Sequence, residues 1–276
     1  MRRWAPVAAA ICLIAASPAS TEDNRVTITA FVERFYRDRD VAGAFAAHVE
    51  PDYIQHNPGL PDGRQAAVDA LAPMFARAGS RFEVRHLLVD GDLALVHLFG
   101  QGDPATPGAA VADIYRLQKG RIVEHWDVLQ PIAAGSNPMG APTRPAARPE
   151  PGTASRNRQR FAAFLDLLFN KKQPDRAYTR FATKTMIQHN QRLGQGRDAT
   201  IAALKALFAN PDASFAVQRV LVDGDLAAVH YRGKLSRDDR GASVVELFRF
   251  ADGKIVEHWD VFQPVPDRSL NPHPMF

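Results

Sequence analysis

The sequence repeats itself once, and this repeat limits how the chain can fold. A constant offset of 133 residues relates Trp126 to Trp259, and no gap is needed anywhere between the two copies. The longest identical segment, Ile-Val-Glu-His-Trp-Asp-Val, occupies residues 122–128 and 255–261. The period is much longer than the ~20–50 residues of solenoid and propeller repeats. The chain is therefore predicted to contain two copies of one small globular domain.

The predicted domain boundaries follow from the repeat and from local composition. The two copies occupy residues 26–132 and 158–265. Residues 133–157, between them, are rich in Pro, Ala and Gly, a composition typical of a semi-extended linker. Residues 266–276 form a predicted C-terminal tail.

Residues 1–20 have the pattern of a secretory signal peptide. Two arginines precede an apolar run that ends at Ala16, and small residues follow at positions 17–19. The alternative is an uncleaved anchor, but the apolar run is short for a hydrocarbon layer ~30 Å thick. We therefore expect a periplasmic or secreted protein that has no membrane segment after cleavage.

Composition argues against several classes of protein. The one cysteine, Cys12, lies in the predicted signal, so the mature protein would have neither disulfides nor thiolate chemistry. The net charge of +4 is compatible with nucleic-acid binding, but the basic residues are scattered and form no stripe with interleaved aromatic residues. We expect no nucleic-acid partner.

Each copy shows helical periodicity first and strand patterns afterwards. In the first copy, a buried helical face is predicted from Phe31, Val32, Phe35 and Tyr36. Two more helices are expected near residues 42–47 and 65–78, followed by strands over residues 84–89, 93–98, 111–117 and 121–130. Asp90-Gly91 indicates one hairpin, and Gln118-Lys119-Gly120 indicates a three-residue loop in another. This order predicts an α+β fold in which a curved sheet wraps around helices.

A histidine and two carboxylates fall on the last predicted hairpin. With a three-residue loop, Asp113 lies opposite His125, and Asp127 projects from the same sheet face because side chains alternate along a strand. A two-residue loop would instead place Asp113 on the other face. Such residues are poor core material. They indicate either a functional pocket or a group of mutually paired residues on a solvated face.

Other residues shared by the two copies suggest further roles. The segment Ile-Gln-His-Asn at residues 54–57 recurs at 187–190, and a histidine beside carboxylates suits general acid–base chemistry. Trp126 is predicted on the opposite strand face, together with Glu124 and Ile122. We interpret this face, and that of the equivalent Trp259, as a packing interface.

These motifs together resemble those of the SnoaL-like proteins, which belong to the nuclear transport factor 2-like superfamily. The resemblance rests on His56-Asn57-Pro58, the Val-Asp-Gly-Asp hairpin, Asp113-Ile114-Tyr115-Arg116 and the Glu-His-Trp-Asp segment with its following Gln-Pro. It implies two tandem cone-shaped α+β barrels, each with an apolar pocket at the open end. Polyketide cyclases of this family close a ring by aldol chemistry without a metal or an organic cofactor, and they use an aspartate as acid and base. Asp127 matches that aspartate, and Asp260 is its twin.

The resemblance and the residues together give a predicted site. Asp127, tuned by His125, would transfer a proton at a carbon next to a carbonyl, while His56, Asn57 and a protonated Asp113 would donate hydrogen bonds to the developing enolate oxygen. Tyr53 is a further predicted substrate contact. In the second copy the predicted residues are His189, Asn190, Glu246, His258 and Asp260. Related isomerases carry an acid–base aspartate near the position of Asn57, and an amide cannot take that role.

We expect a small-molecule substrate and no cofactor. Aldol condensation, cyclisation or isomerisation of a carbonyl compound is the predicted chemistry. Two fused copies allow an intrachain pseudo-dimer, and a homo-oligomer is also possible. Two alternatives remain: a binding protein that has the pocket without turnover, and a metal site built from His56, His125 and Asp127.

Overall fold

The computed structural model describes residues 20–140 and 152–276. The predicted signal peptide, apart from its last residue, and residues 141–151 of the predicted linker lie outside the described residues. No helix in the described part of the chain is both long and apolar enough to cross a membrane.

Each copy forms one α+β unit, and the two units have the same order of elements. The first contains α1 (Thr21–Val32), α2 (Val41–His48), β1 (Val49–Gln55), α3 (Arg64–Ala76), β2 (Arg81–Asp90), β3 (Leu93–Gln101), β4 (Ala109–Gln118) and β5 (Arg121–Pro131). The second contains α4 (Thr153–Leu165), α5 (Pro174–Phe181), β6 (Ala182–Gln188), α6 (Gly196–Phe208), β7 (Ser214–Asp223), β8 (Leu226–Lys234), β9 (Ala242–Ala251) and β10 (Lys254–Pro264). A π-helical segment extends α1 over Glu33–Arg37 and α4 over Asp166–Asn170.

The strands of each unit form one five-stranded sheet. The strand orders are β1-β5-β4-β3-β2 and β6-β10-β9-β8-β7. All pairs are antiparallel except those of β1 with β5 and of β6 with β10. The predicted α+β class with a mostly antiparallel sheet is confirmed, although each sheet stays open rather than closing into a barrel. Strand β1 was not predicted, because Glu50, Pro51 and Asp52 interrupt its apolar pattern; proline is tolerated there since β1 is an edge strand.

The helices cover one face of each sheet, and the core of each unit lies between the helices and this face. The predicted helical face is buried, and Phe31 and Phe35 stack with their ring centroids 5.1 Å apart. In the second unit, the equivalent Phe164 is fully buried against Tyr178 and Phe248. This helix-covered face is called the inner face below.

The hairpin between β4 and β5 differs from the prediction. Gln118 pairs with Arg121, so the loop has two residues, Lys119 and Gly120, rather than three. Both have left-handed backbone conformations, with φ values of 52° and 75°. Such a turn matches the twist of the flanking strands.

A β-bulge keeps the three chemical side chains together despite the shorter loop. Val123 is the extra residue, because Leu117 pairs with Ile122 and Arg116 pairs with Glu124. The bulge changes the phase of β5, so that Asp113 pairs with Asp127 and Tyr115 pairs with His125. The predicted pairing of Asp113 with His125 is therefore wrong, but their common face is correct. Ile122 lies in the inner core and not on the tryptophan face, again because of the bulge.

The opposite faces of the two sheets, called the outer faces below, pack against each other. Trp126 and Trp259 lie in one apolar cluster with residues from both units. Polar contacts cross between the units in equivalent pairs: the Val89 amide donates to Asp223 and the Val222 amide donates to Asp90, each at 2.9 Å. The contact is thus pseudo-symmetric, as in an isologous dimer. The predicted packing role of the tryptophan face agrees with this arrangement, and a homo-oligomer stays a prediction.

The segment after each sheet crosses to the other unit. The Ala133 amide and the Ser136 hydroxyl donate to the side-chain oxygen of Gln191, each at 2.7 Å. In the reverse direction, the side-chain amide of Asn271 donates to the backbone oxygens of Asn57 (2.6 Å) and Leu60 (2.8 Å). The segment that follows each sheet therefore holds a loop of the other unit, and this loop lies beside the predicted site of that other unit.

Candidate acid–base site

The inner face of the first sheet carries a buried polar cluster. Asp113 on β4 and His125 and Asp127 on β5 are each only 6% exposed, so all three are buried. His125 Nε2 lies 3.1 Å from Asp113 Oδ1. The three side chains lie on one face, as the sequence predicts. This face lies beneath the helices, where burial strengthens electrostatic interactions.

Gln55 fixes the orientation and the protonation of His125. The Gln55 side-chain oxygen accepts the Asn57 backbone amide at 2.8 Å and lies 3.0 Å from His125 Nδ1. Both imidazole nitrogens therefore face acceptors, which requires a proton on each of them. Burial lowers the pKa of His125, but the hydrogen bond and the negative charge of Asp113 outweigh it and raise the pKa above its usual value.

Asn57 holds one oxygen of Asp127 and leaves the other free. Its side-chain oxygen accepts the Gly59 amide at 2.6 Å, so its NH₂ group points to Asp127 and donates to Oδ2 at 2.5 Å. Asp127 Oδ1 is buried and makes no hydrogen bond with any residue in the described part of the chain. Burial raises the pKa of Asp127 to about 6, against the lowering effect of His125 and with a further rise from Asp113. A carboxyl group of this kind exchanges protons near neutral pH.

Three tyrosines surround the cluster. The Tyr36 hydroxyl donates to Asp113 Oδ2 at 2.5 Å and lies 2.6 Å from the Tyr115 hydroxyl, which must therefore be the donor in that second bond. The Tyr53 hydroxyl accepts the side-chain amide of Gln55. Burial, and then the nearby carboxylates, raise the pKa of all three well above the usual value, so their hydroxyls stay protonated. The hydrogen of Tyr53 is the one left for a ligand oxygen.

The second domain contains a related but different cluster. Asn190 donates to Asp260 Oδ2, and burial raises the pKa of Asp260 to about 6. Gln188 holds His258 Nδ1 at 2.8 Å. Glu246, in place of Asp113, accepts from Tyr231 at 2.8 Å but lies 3.7 Å from His258 Nε2, which makes no hydrogen bond in the described structure.

The predicted residues His56 and His189 do not join these clusters. His56 lies on the outer-face side, where Nε2 contacts Glu124 at 2.7 Å and the ring stacks on Trp126 with centroids 4.7 Å apart. His189 contacts Glu257 at 2.8 Å and stacks on Trp259. Pairing with β5 continues to His56, whose amide donates to the His125 backbone oxygen at 2.9 Å, and neighbouring Gln55 and His56 therefore point to opposite faces. The structure therefore does not support the predicted hydrogen bond from His56 to an enolate.

The predicted metal site from His56, His125 and Asp127 is not formed, for the same reason. Asp113, His125 and Asp127 do each offer a potential ligand atom, and these atoms lie within 4.8 Å of one another. Both nitrogens of His125 already act as donors, and a metal ion would have to displace the bond to Asp113. The arrangement suits proton transfer better than metal binding.

Two cavities of the described structure lie away from this cluster. A groove of about 800 Å³ on the first domain is lined by residues such as Asp52, Arg116 and Lys119. A smaller one of about 400 Å³ on the second domain includes Asp175 and Arg176. Neither is lined by Asp113, His125 or Asp127, so these two cavities are separate from the acid–base cluster.

Three residues of the first cluster were missing from the predicted site. Phe169 and Phe248 take the places of Tyr36 and Tyr115 in the second copy. Because the two tyrosines are not shared, comparison of the copies did not indicate a functional role for them. Gln55 does recur as Gln188. That recurrence was the available signal for its role.

Comparison with known structures finds proteins that resemble one copy at a time. An NTF2-like protein of unknown function from Mesorhizobium loti is 22% identical, covers 44% of this chain and 97% of its own, and has a TM-score of 0.36. A SnoaL-like protein of unknown function from Burkholderia thailandensis E264 is 24% identical, covers 41% and 98%, and has a TM-score of 0.33. An LEH-like epoxide hydrolase from M. tuberculosis is 20% identical, covers 40% and 84%, and has a TM-score of 0.32.

Comparison with functionally curated proteins finds no match. The family model described as the SnoaL-like domain matches twice, over residues 28–125 and 161–258. The two matches include the acid–base cluster of each unit apart from Asp127 and Asp260, which lie two residues beyond their ends. This chain therefore belongs to the SnoaL-like domain family, as a tandem duplication.

Proposed function

We propose that this protein catalyses cofactor-independent acid–base chemistry on a small, largely apolar carbonyl compound. The reaction class is aldol condensation, cyclisation or isomerisation, all of which begin with proton transfer at a carbon next to a carbonyl. The supporting observation is the free, buried Oδ1 of Asp127, whose carboxyl has a pKa of about 6. A base near the working pH is efficient because it is ionised and still binds a proton readily.

We propose a role for each group around this atom. Asp127 Oδ1 takes the proton from carbon, and the charge that develops on the substrate oxygen is stabilised by the free hydroxyl hydrogen of Tyr53. Asn57 holds the second oxygen of Asp127, and the His125 imidazolium offsets its negative charge once ionised. Gln55 links Tyr53 to His125 and so keeps donor and base in one rigid group.

Turnover of a panel of β-dicarbonyl and polyketide-like compounds tests this proposal. We expect Asp127→Asn together with Asp260→Asn to lower turnover by about 10²–10⁴-fold, the usual contribution of a positioned base. Each single variant should retain the activity of the other domain. Equal turnover by the double variant and the native chain contradicts the assignment. Metal analysis of the same samples tests the alternative of a metal site at Asp113, His125 and Asp127.

Ligand binding without turnover is the second candidate. It is favoured by the closed network in the first domain, where Tyr36, Tyr115 and His125 all direct their hydrogens to protein acceptors. Saturable binding of a panel compound with no product, in both native protein and double variant, would support this candidate instead.

We also propose that the protein acts outside the cytoplasm. The support is the sequence of residues 1–20, with two arginines, an apolar run and small residues after it. Cell fractionation and N-terminal sequencing of the mature protein test the proposal. Recovery in the cytoplasm with residue 2 or 3 at the N-terminus contradicts it.

A further inference from the structure

The two clusters also differ at their rims, where the difference is one of charge. Position 59 of the first domain is glycine, and the equivalent position of the second domain is Arg192. From the surroundings of this arginine we propose that the second domain binds a carbonyl compound carrying a carboxylate, whereas the first domain takes a neutral one. This inference rests on the proposed function for its carbonyl chemistry, and its test is a binding measurement that does not require turnover.

Arg192 is anchored to the loop that positions the base. Its backbone amide donates to the side-chain oxygen of Asn190 at 2.7 Å, and the NH₂ group of Asn190 donates to Asp260. The guanidinium lies 5.2 Å from the ring centroid of Phe262. Phe262 is two residues beyond Asp260 on the same face of β10 and packs against the inner core. The guanidinium is therefore at the edge of the space into which Asp260 faces.

The charge of Arg192 is available to a ligand. The residue is exposed, and its guanidinium makes no ion pair with any residue in the described ranges. Its charge is close enough to the base to lower the pKa of Asp260, although burial dominates and the net pKa is raised. A carboxylate at this position would form charge-assisted hydrogen bonds, and guanidinium geometry suits both of its oxygens.

A second polar atom without a hydrogen bond lies deeper in the same domain. His258 is 3% exposed, donates through Nδ1 to Gln188 and leaves Nε2 without a hydrogen bond. Glu246 Oε2 lies 3.7 Å from this nitrogen, beyond hydrogen-bonding distance, so Nε2 is still able to bond a ligand. The domain thus offers a cationic contact at the rim and a further polar contact inside.

The first domain lacks both features. Gly59 carries no charge, and Leu129 occupies the position of Phe262. His125 Nε2 is already bonded to Asp113, so its charge is neutralised within the protein. The free donor of this domain is the neutral hydroxyl of Tyr53, whose place in the second domain is taken by Met186. These differences favour a neutral carbonyl in the first domain and an anionic one in the second.

Calorimetric titration of the full chain with 4-oxooctanoate and with its methyl ester tests the inference. We expect the acid to bind at one site per chain, and Arg192→Gly to weaken it about tenfold, as loss of a charge-assisted contact does. The ester should be unaffected by this variant, and only acid binding should weaken with added salt. Lys119→Gly is the matched control, because it removes one positive charge at an exposed turn where a left-handed backbone already suits glycine.

Two further variants keep the test decisive. Gly59→Arg gives the first domain the arginine found at the equivalent position of the second domain, and it should add a second binding site for the acid. His258→Phe, made in the native chain, should weaken binding of 4-oxooctanoate, and this result would locate the binding site in the second domain. The inference is overturned if the acid does not bind, if Arg192→Gly weakens acid and ester alike, or if His258→Phe leaves acid binding unchanged. Absence of turnover with intact acid binding would instead contradict the proposed catalysis alone.

Discussion

At the scale of single residues, burying the carboxyl group of Asp127 lowers the stability of the fold. A folded-state pKa of about 6 means that the fold disfavours the ionised carboxylate relative to the unfolded chain, where the pKa is near 3.8. The folded state therefore binds more protons between these values, and stability falls as the pH rises from about 4 to 6. Above pH 6 the full cost remains, and the difference in pKa corresponds to about 3 kcal/mol.

Removing this charge should therefore stabilise the protein. We expect Asp127→Asn to raise the free energy of unfolding at pH 8 by about 1–3 kcal/mol, since an amide of the same shape still accepts from Asn57 and needs no ionisation. Thermal unfolding at pH 8 and pH 4 measures the effect, which should be small at pH 4. Asp52→Asn, at an exposed position of β1, is the control and should change little. A lower melting temperature for Asp127→Asn at pH 8 contradicts the account.

The same pKa predicts how activity depends on pH. The proposed role of Asp127 as the base requires its ionised form, so the rate should rise with pH and reach half of its plateau near pH 6. Steady-state rates from pH 4.5 to 8.5, measured with Asp260→Asn so that only the first domain contributes, check this expectation. A rate that is constant between pH 5 and pH 8 is incompatible with Asp127 as the base.

The sequence predicted the acids and His125 better than the groups that position them. Asp113, His125 and Asp127 could be found because charges on a strand face have few purely structural explanations. His56 was assigned wrongly because β1 was not predicted, so the alternation that puts Gln55 and His56 on opposite faces was not applied to this segment. Tyr36 could not be found, since a tyrosine at helical spacing is indistinguishable from core, and its hydrogen bond to Asp113 spans 77 residues.

At the scale of elements, the bulge at Val123 determines which side chains reach the inner face. Without it, a two-residue turn would place Asp113 opposite Trp126 rather than Asp127. Nothing in the side-chain pattern of β5 reveals the extra residue, because both Ile122 and Val123 suit a strand. The same irregularity recurs at Val256 in the second unit, where Ile255 pairs with Phe250 and Glu257 pairs with Arg249. The prediction thus had two errors, a loop one residue too long and a missing bulge. Their effects cancel, so Asp113, His125 and Asp127 lie on one face as predicted.

The C-terminal tail should affect activity at the first site, because it holds the loop that carries Asn57. Asn271 donates to the backbone oxygens of Asn57 and Leu60, and this loop in turn places the amide of Asn57 on Asp127. We expect Asn271→Ala to lower turnover of the first domain about tenfold, because the lost hydrogen bonds, worth roughly 1–1.5 kcal/mol together after solvent competition, let the loop move.

Assays in the Asp260→Asn background isolate the first domain for this measurement. Leu270→Ala is the control, since that side chain is 66% exposed and the backbone bond from Leu270 to Pro58 is retained. The expected decrease belongs to the first domain alone, so the Asp127→Asn background should show no change with Asn271→Ala. A decrease of equal size in both backgrounds would indicate general destabilisation and not positioning.

At the scale of the whole molecule, the duplication has produced a dimer-like pair within one chain. Residues shared by the copies divide into two groups: Gln55, Asn57, His125 and Asp127 build the site, whereas others join the units. Gln130 belongs to the second group, because its side-chain oxygen accepts the Phe262 amide at 3.0 Å, while Gln263 accepts the Leu129 amide at 2.8 Å. Sequence comparison could not separate the groups, since both consist of recurring polar residues.

The contact between the units also buries histidines that fold in the neutral form. His86 Nδ1 and His97 Nδ1 lie 3.0 Å apart, and His86 packs 4.5 Å from Trp259. Burial lowers the pKa of His86 to about 4 and that of His97 well below its usual value. In the second unit, Arg219 donates to His230 Nδ1, and burial lowers the pKa of His230 to about 3. Charging any of these rings works against the packing of the two sheets.

Mild acid should therefore loosen the protein. The unfolded chain binds protons on these histidines below pH 6.5 whereas the folded chain does not, so stability is complete above pH 6.5 and is lost as the pH falls towards 4. At pH 5 each of these histidines costs about 2 kcal/mol relative to pH 7, and His56, whose pKa burial lowers to about 4, adds to the cost. Protonation of Asp127 and Asp260 acts in the opposite direction and returns about 1.4 kcal/mol each, so we expect a net loss of stability at pH 5. Urea unfolding at the two pH values measures this loss. His86→Arg, which installs the residue found at the equivalent position 219, should reduce it, and an undiminished loss in that variant would show that the acid sensitivity arises elsewhere.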